Sequence, residues 1–350
     1  MIISRSCARR FSQHWAHPKV FRAQNVFHSS PNGSTVSNLR SYSNSEGVLG
    51  NNPSNIKEIE IPVPYGKLAG KAWGSEKATP VLALHGWLDN CGTFDRLIPL
   101  LSDQFYFVAI DAPGHGKSSH LPPGGLYTDL SMMLDLRKAI DNLGWKKFHL
   151  LGHSMGGSLA LQFSAFFPEL VDKCISLDVM KPFSAPADQV HFLKMNAAHK
   201  FLQLEKKLLN SPPVYTGKSA PARLVKGMHN EISEDGAKIL LKRGSRPSEC
   251  GKGIIFSRDL RCHPIEYISL ESHEVVETFM THLKCKLMII MANSTHRLYQ
   301  PETPETIEKF SILYKNSVEH FVYERVEGNH FVHLNNPERI APIINKFLLE

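Results

Sequence analysis

The run Gly152-His153-Ser154-Met155-Gly156 sets a serine at the centre of a G-x-S-x-G pattern. A serine hydroxyl is a weak nucleophile unless the fold presents it bare and a neighbouring base takes its proton. The pattern alone occurs by chance in many chains, so its surroundings matter. Apolar, strand-like residues 148–151 precede it, and a helix-forming stretch from Ser158 to Phe167 follows, ending at Pro168. A strand turning sharply into a helix lifts the intervening hydroxyl above the sheet, and the positions two before and two after it must then be nearly free of side chain. The helix that begins there turns its unpaired N–H groups toward any negative charge that develops beside the hydroxyl. The chemistry this arrangement suits is acyl transfer, with Ser154 attacking a carbonyl carbon and water later freeing the acyl group.

The elements that must hold such a serine are legible around it. Ile56–Ile61 and Lys67–Trp73 flank a turn containing Pro62, Pro64 and Gly66, which predicts an antiparallel hairpin. After Pro80 come short apolar runs at Val81–Leu84, Phe105–Ile110, Phe148–Leu151, Cys174–Leu177 and Leu287–Met291. They are too continuous for half-exposed strands and fit a parallel sheet covered on both faces. Helical patterns lie between them. One carries the stripe Leu130, Met133, Leu134, Ile140 and Leu143 and ends at Gly144. A last strand, Phe321–Val326, precedes a C-terminal helix expected from Pro337 to Leu349. The alternation predicts an α/β fold with a mostly parallel, eight-stranded, doubly wound sheet. Residues 181–281 break it, with helical texture, turn-rich stretches and no convincing buried strand. About 100 residues is too long for a loop. A mostly helical lid inserted over the carboxyl ends of the strands is expected, dividing the core into 51–180 and 282–350.

Three motifs together resemble the α/β-hydrolase superfamily, in particular its serine hydrolase-like, kraken-type branch. His85-Gly86-Trp87-Leu88-Asp89-Asn90 is similar to the segment after that family's third strand. Asp111-Ala112-Pro113-Gly114-His115-Gly116-Lys117-Ser118 is similar to its D-x-P-G-x-G-x-S loop, and residues 152–157 to its nucleophile elbow. The resemblance spans roughly residues 56–350, is faint in the lid and does not reach the leader. It implies an oxyanion hole made by the backbone N–H groups of Trp87 and Met155, worth about 3 kcal/mol per donor. Asp111 is expected to hold its own glycine-rich loop through backbone N–H groups.

Eighteen histidines make any single one cheap, so position decides. His330 follows the last strand, where the resemblance places the general base, and Asn329 stands where the family usually has glycine. His333 is the rival. The acid is harder to place, because the segment after Leu287–Met291 reads Asn293-Ser294-Thr295-His296, with no carboxylate before Glu302. Some members of the superfamily carry the acid at the end of the preceding strand, and Asp178 occupies that position. Asn293 or Thr295 as a polar surrogate, and a degraded site, remain the alternatives. His85 and His153 are expected to pack and hydrogen-bond behind the reacting groups.

The remaining features bound the function. Arg5, Arg9, Arg10, Lys19, Arg22 and Arg40 precede the first acidic residue, Glu46, which leaves 34 basic and 33 acidic residues from there on. The folded part is therefore nearly neutral, and nothing in its charge points to nucleic acid. The basic, serine-rich leader over residues 1–50, free of acids before Glu46, resembles a mitochondrial transit peptide, with a disordered cytosolic leader as the alternative. No apolar run is long enough to span a membrane. The six cysteines show no C-x-x-C spacing, so free thiols in a reducing compartment are expected. No cofactor or metal signature is present, and Gly114–Ser118 is not a phosphate-binding loop. A serine nucleophile also argues against the haloalkane dehalogenases and epoxide hydrolases of this fold, which need a carboxylate. The expected activity is hydrolysis of a carboxylic ester, thioester or lactone in a small or medium acyl-containing substrate. The rival is a noncatalytic ligand-binding protein that has lost its triad.

Overall fold

The computed structural model describes residues 56–263, 269–295 and 302–350. The leader expected over residues 1–50 lies outside them. Strands β1 (Lys57–Val63) and β2 (Gly66–Trp73) form the antiparallel hairpin, with Val63 opposite Gly66. The buried runs become β3 (Thr79–Leu84), β4 (Phe105–Ile110), β5 (Phe148–His153), β6 (Val171–Leu177) and β7 (Lys286–Ala292), and β8 is Phe321–Val326. They build one eight-stranded sheet in the order β1-β2-β4-β3-β5-β6-β7-β8. It is parallel from β4 to β8, and β2 joins β4 antiparallel. Successive side chains on a strand point to opposite faces, so each central strand feeds two cores. Leu82, Val108, Leu150, Cys174 and Ile289 pack on one face, and Val81, Phe107, Leu151, Ile175 and Ile290 on the other.

Helices α1 (Asp129–Leu143) and α2 (Met155–Phe166) contribute to the first core. Thr128 caps α1 and accepts from Ser131 N–H, and Gly144 ends it in a left-handed turn at φ 71°. The apolar stripe of α1 differs from the one expected. Its core face is Met132, Met133, Leu136, Ala139 and Ile140, whereas Leu130 and Leu134 face solvent. Two apolar stripes overlap in this stretch about 200° apart around the helix, and only packing chooses between them. The C-terminal helix also starts later than expected. Pro337–Arg339 form a separate 3-10 turn, and the α-helix runs from Ala341 to Leu349.

Residues 181–281 are mainly helical: α3 (Ala187–Lys207), α4 (Ser219–Gly227), α5 (Glu234–Gly244) and α6 (His273–Met280). Two small strand pairs, absent from the expectation, join Ser184–Ala185 to Glu271–Ser272 and Ser245–Pro247 to Ile254–Phe256. At two or three residues each, they are too short to show a pattern in sequence. The insertion is tied to loops that leave the carboxyl ends of the sheet strands. Asn90 Nδ2 donates to Leu240 O at 2.9 Å after β3, Asp259 N to Gly114 O at 2.8 Å after β4, and Asn335 Nδ2 to Glu231 O at 2.8 Å after β8. Helix α7 (Pro304–Ser317) returns the chain to β8.

Candidate active site

Ser154 stands between the end of β5 and the start of α2, with φ 52° and ψ −118°. A non-glycine residue held there is strained, and its surroundings explain how it is held. A Cβ on Gly152 would lie 2.2 Å from Gly156 O, and one on Gly156 would lie 2.1 Å from Leu84 O. Both glycines therefore let β5, α2 and the end of β3 close on one another. The Ser154 N–H donates to Leu177 O at 3.1 Å, which fastens the elbow to the end of β6.

Asp178 immediately follows β6 and also takes a left-handed backbone, φ 58°. Its N–H donates to Ile290 O at 2.7 Å. Its buried carboxylate accepts three hydrogen bonds: Ala292 N–H on Oδ1 at 2.8 Å, and Thr295 Oγ1 and His330 Nδ1 on Oδ2, each at 2.7 Å. The Nδ1 proton of His330 is thereby fixed, which leaves Nε2 as the basic ring nitrogen. Of the other acid candidates, Asn293 is exposed and accepts from Gly328 N–H at 3.3 Å, away from the imidazole. Thr295 is buried against Asp178 as a partner of the carboxylate.

The backbone of His330 is gripped from both sides. Its N–H donates to Glu231 Oε2 at 2.9 Å, and its carbonyl accepts from His153 Nε2 at 2.8 Å. Glu231 belongs to the insertion. Asn329, which stands where glycine was expected, donates to the Glu231 carbonyl at 2.7 Å and accepts from Asn335 Nδ2 at 3.0 Å. Nothing in the sequence pattern marks Glu231, which lies 99 residues from the histidine it holds. His333, the rival base, is fully buried, pairs its Nε2 with Thr93 Oγ1 at 2.7 Å and packs against His153 with ring centroids 4.0 Å apart and planes tilted by 41°. Burial, then the neighbouring His330, lowers its pKa to about 3. Burial pushes His153 well below the ordinary value too, so both rings are neutral.

On the opposite side of Ser154 lies the loop after β3. A Cβ on Gly86 would sit 2.9 Å from His153 Nδ1 and 3.3 Å from Ser154 Cβ, so only glycine brings this loop against the elbow. The His85 ring ties the loop down, with Nδ1 on Gly86 O at 2.7 Å and Nε2 accepting Ala112 N–H at 2.9 Å. The C=O and N–H of a trans peptide point in opposite directions. Holding the Gly86 carbonyl therefore turns the Trp87 N–H the other way. Among the described residues neither Trp87 N–H nor Met155 N–H meets a hydrogen-bond acceptor. The Trp87 indole donates to Cys262 O of the insertion at 2.9 Å. Asp111 holds its loop as expected, accepting Cys91 N–H and Lys117 N–H at 2.8 Å each. It has a further partner, Arg243 of α5, whose Nη2 lies 2.8 Å from Oδ2. Burial raises the Asp111 carboxyl, but Arg243 and the N–H donors outweigh it and hold it below the ordinary range.

Asp89, His153 and His333 form a buried cluster whose potential ligand atoms lie within 4.8 Å of one another. A tetrahedral first-row ion with bonds of about 2.1 Å needs ligand atoms about 3.4 Å apart. Burial also raises the Asp89 carboxyl to about 8, so it is protonated at neutral pH. Burial thus favours the uncharged form of all three groups, and His153 of this cluster holds the His330 carbonyl. The five described cysteines, Cys91, Cys174, Cys250, Cys262 and Cys285, are free thiols. Among the described residues no helix is long and apolar enough to cross a membrane.

Residues 79–223 match the family model for the alpha/beta hydrolase fold. The serine hydrolase-like protein of Danio rerio is 36% identical over 83% of this chain and 88% of its own. Human serine hydrolase-like protein 2 is 36% identical over 85% of this chain and 95% of its own. Among solved structures, a hypothetical protein from Pseudomonas aeruginosa PAO1 superposes with a TM-score of 0.73 at 28% identity, over 84% of this chain and 99% of that one. With the strand order, the elbow and full-length relatives in agreement, the chain belongs to the α/β-hydrolase superfamily and is related to its serine hydrolase-like proteins.

Proposed function

We propose that this protein hydrolyses a carboxylic ester, thioester or lactone through an acyl-Ser154 intermediate. The observation that carries this reading is the 2.7 Å hydrogen bond between His330 Nδ1 and Asp178 Oδ2 at the same end of the sheet as Ser154. An imidazole clamped in this tautomer offers Nε2 to the serine proton, and the carboxylate stabilises the imidazolium that forms. Ser154 Oγ bonds to the carbonyl carbon, and the carbonyl π electrons move onto oxygen. The N–H groups of Trp87 and Met155 receive that oxyanion. The tetrahedral intermediate collapses, His330 passes its proton to the departing alkoxide or thiolate, and the acyl group stays on Ser154. Water, deprotonated by His330, then repeats the sequence and frees the acid. A ligand-binding protein with a lost triad would have no need for a carboxylate on this imidazole.

The test is labelling by a fluorophosphonate, which reports an activated serine without knowledge of the substrate, together with turnover of p-nitrophenyl esters of increasing acyl length. Wild-type protein should label and turn over. Ser154→Ala should do neither while melting near the wild-type temperature. Undiminished turnover in that variant would refute the mechanism.

A further inference from the structure

Helix α3 lies early in the insertion and carries apolar side chains on two opposite faces. Ala197, Phe201 and Leu204 are buried against the protein. The opposite face carries Phe192, Met195 and Leu202, all exposed. The exposed series continues past the helix end through Leu208, Leu209 at 88% exposure, and Val214. Of the fifteen large apolar side chains exposed among the described residues, these six fall within positions 192–214. A surface helix of a soluble domain normally turns charged and polar residues outward, so a concentrated apolar ridge marks a contact surface.

Charge narrows the choice of contact. Lys200, Lys206 and Lys207 are exposed on and beside the ridge. Lys194 is occupied by Glu271 at 3.2 Å, and the acids of α3 itself are only Asp188 and Glu205. Shape narrows it further. A convex ridge of protruding Phe and Leu side chains needs a deep complementary groove in a rigid partner, whereas a lipid leaflet yields around it. Apolar side chains at acyl-chain depth with lysines at headgroup level are the arrangement of helices that lie in a bilayer interface.

We propose that α3 and its extension to Val214 form a docking surface for an anionic lipid bilayer, with Phe192, Leu202 and Leu209 inserted and Lys200 and Lys207 on headgroup phosphates. The inner side of α3 packs on the turn Leu260–Cys262, and Cys262 O holds the Trp87 indole. A docked bilayer would therefore lie one layer of structure away from the loop beside Ser154.

Flotation of the full chain with phosphatidylcholine vesicles, with and without roughly a third phosphatidylserine, tests this without any catalytic readout. Its outcome is thus separate from the role of Ser154. Wild-type protein should float with the anionic vesicles and be released as salt is raised toward about 0.5 M. The triple variant Phe192→Ser, Leu202→Ser, Leu209→Ser should bind at least about tenfold more weakly, with an unchanged melting temperature because the three side chains are exposed. Lys200→Glu with Lys207→Glu should abolish the preference for anionic vesicles. The proposal is overturned if the wild type does not float, or if the triple variant floats as well as the wild type. A wild-type dimer in sedimentation that the triple variant converts to monomer, without flotation of either, would assign the ridge to a second copy of the chain instead.

Discussion

A single carboxylate oxygen organises the candidate site. Asp178 Oδ2 takes one hydrogen bond from His330 and one from Thr295, while Oδ1 is held by the Ala292 N–H. Asp178→Asn keeps the size and can keep the Ala292 bond, but it offers one acceptor oxygen where the carboxylate has two and carries no counter-charge. We expect turnover to fall by about 10³–10⁴, near the loss seen when a triad acid elsewhere becomes its amide. Turnover per folded molecule, measured beside the melting temperature, separates this from a merely structural role, which would lower the second and spare the first. Thr295→Asp added to Asp178→Asn should recover part of the rate. Positions 154 and 178 each stand just past a strand that its own apolar run announces, and position 330 lies four residues beyond β8. Their placement at one end of the sheet was therefore legible, whereas their catalytic roles belong to the proposal. Glu231 was not legible, since it accepts the His330 N–H from the turn between α4 and α5, 99 residues away. Asn329 looked like a departure from pattern and gains its reason from the Glu231 carbonyl that its amide reaches.

Continuous apolar runs are strong signals because a strand covered on both faces must be apolar at every position. That is why β3 to β7 could be read from residues alone. Helices offer weaker evidence where apolar residues fill more than one face, and α1 illustrates it, with Leu130 and Leu134 outside and Met132 and Leu136 inside. The insertion was readable as helical but its fastening was not, because each tie joins residues far apart in the chain. Arg243 is the plainest case. In the last turn of α5 it is buried, with Asp111 Oδ2 at 2.8 Å from Nη2 and both oxygens of Glu58 within 2.6 Å of Nη1. Arg243→Met should leave the Asp111 carboxylate buried without its cation. The expected loss is about 3–5 kcal/mol, the usual consequence of removing one partner of a buried pair. Urea denaturation would measure it. A loss below about 1 kcal/mol would mean that the N–H groups of Cys91 and Lys117 suffice for Asp111.

For the molecule as a whole, buried neutral imidazoles set a response to acid. His115 and His333 are each lowered from 6.5 to about 3, mainly by burial, and His85 and His153 are lowered as well. Below an ordinary pKa of 6.5 the unfolded chain takes up protons at these positions before the folded one does. Their contribution to stability is complete above about pH 6.5 and is lost progressively as the pH falls toward 3, at about 1.4 kcal/mol per pH unit for each group. Asp89, raised to about 8, acts in the opposite sense between its ordinary 3.8 and that value, so a single-site comparison is the clean one. His333→Gln removes one titrating ring and should flatten the fall in melting temperature between about pH 6 and pH 4. An unchanged slope would place the acid response in other groups. The meeting of Thr295, Asp178 and His330 around one oxygen also has a historical consequence. Because the segments after β6 and β7 meet at Asp178 Oδ2, an acid can arise at one address before it disappears from the other. A lineage can thus move its carboxylate between strands through a doubly furnished ancestor, and the histidine need never pass a generation without a partner.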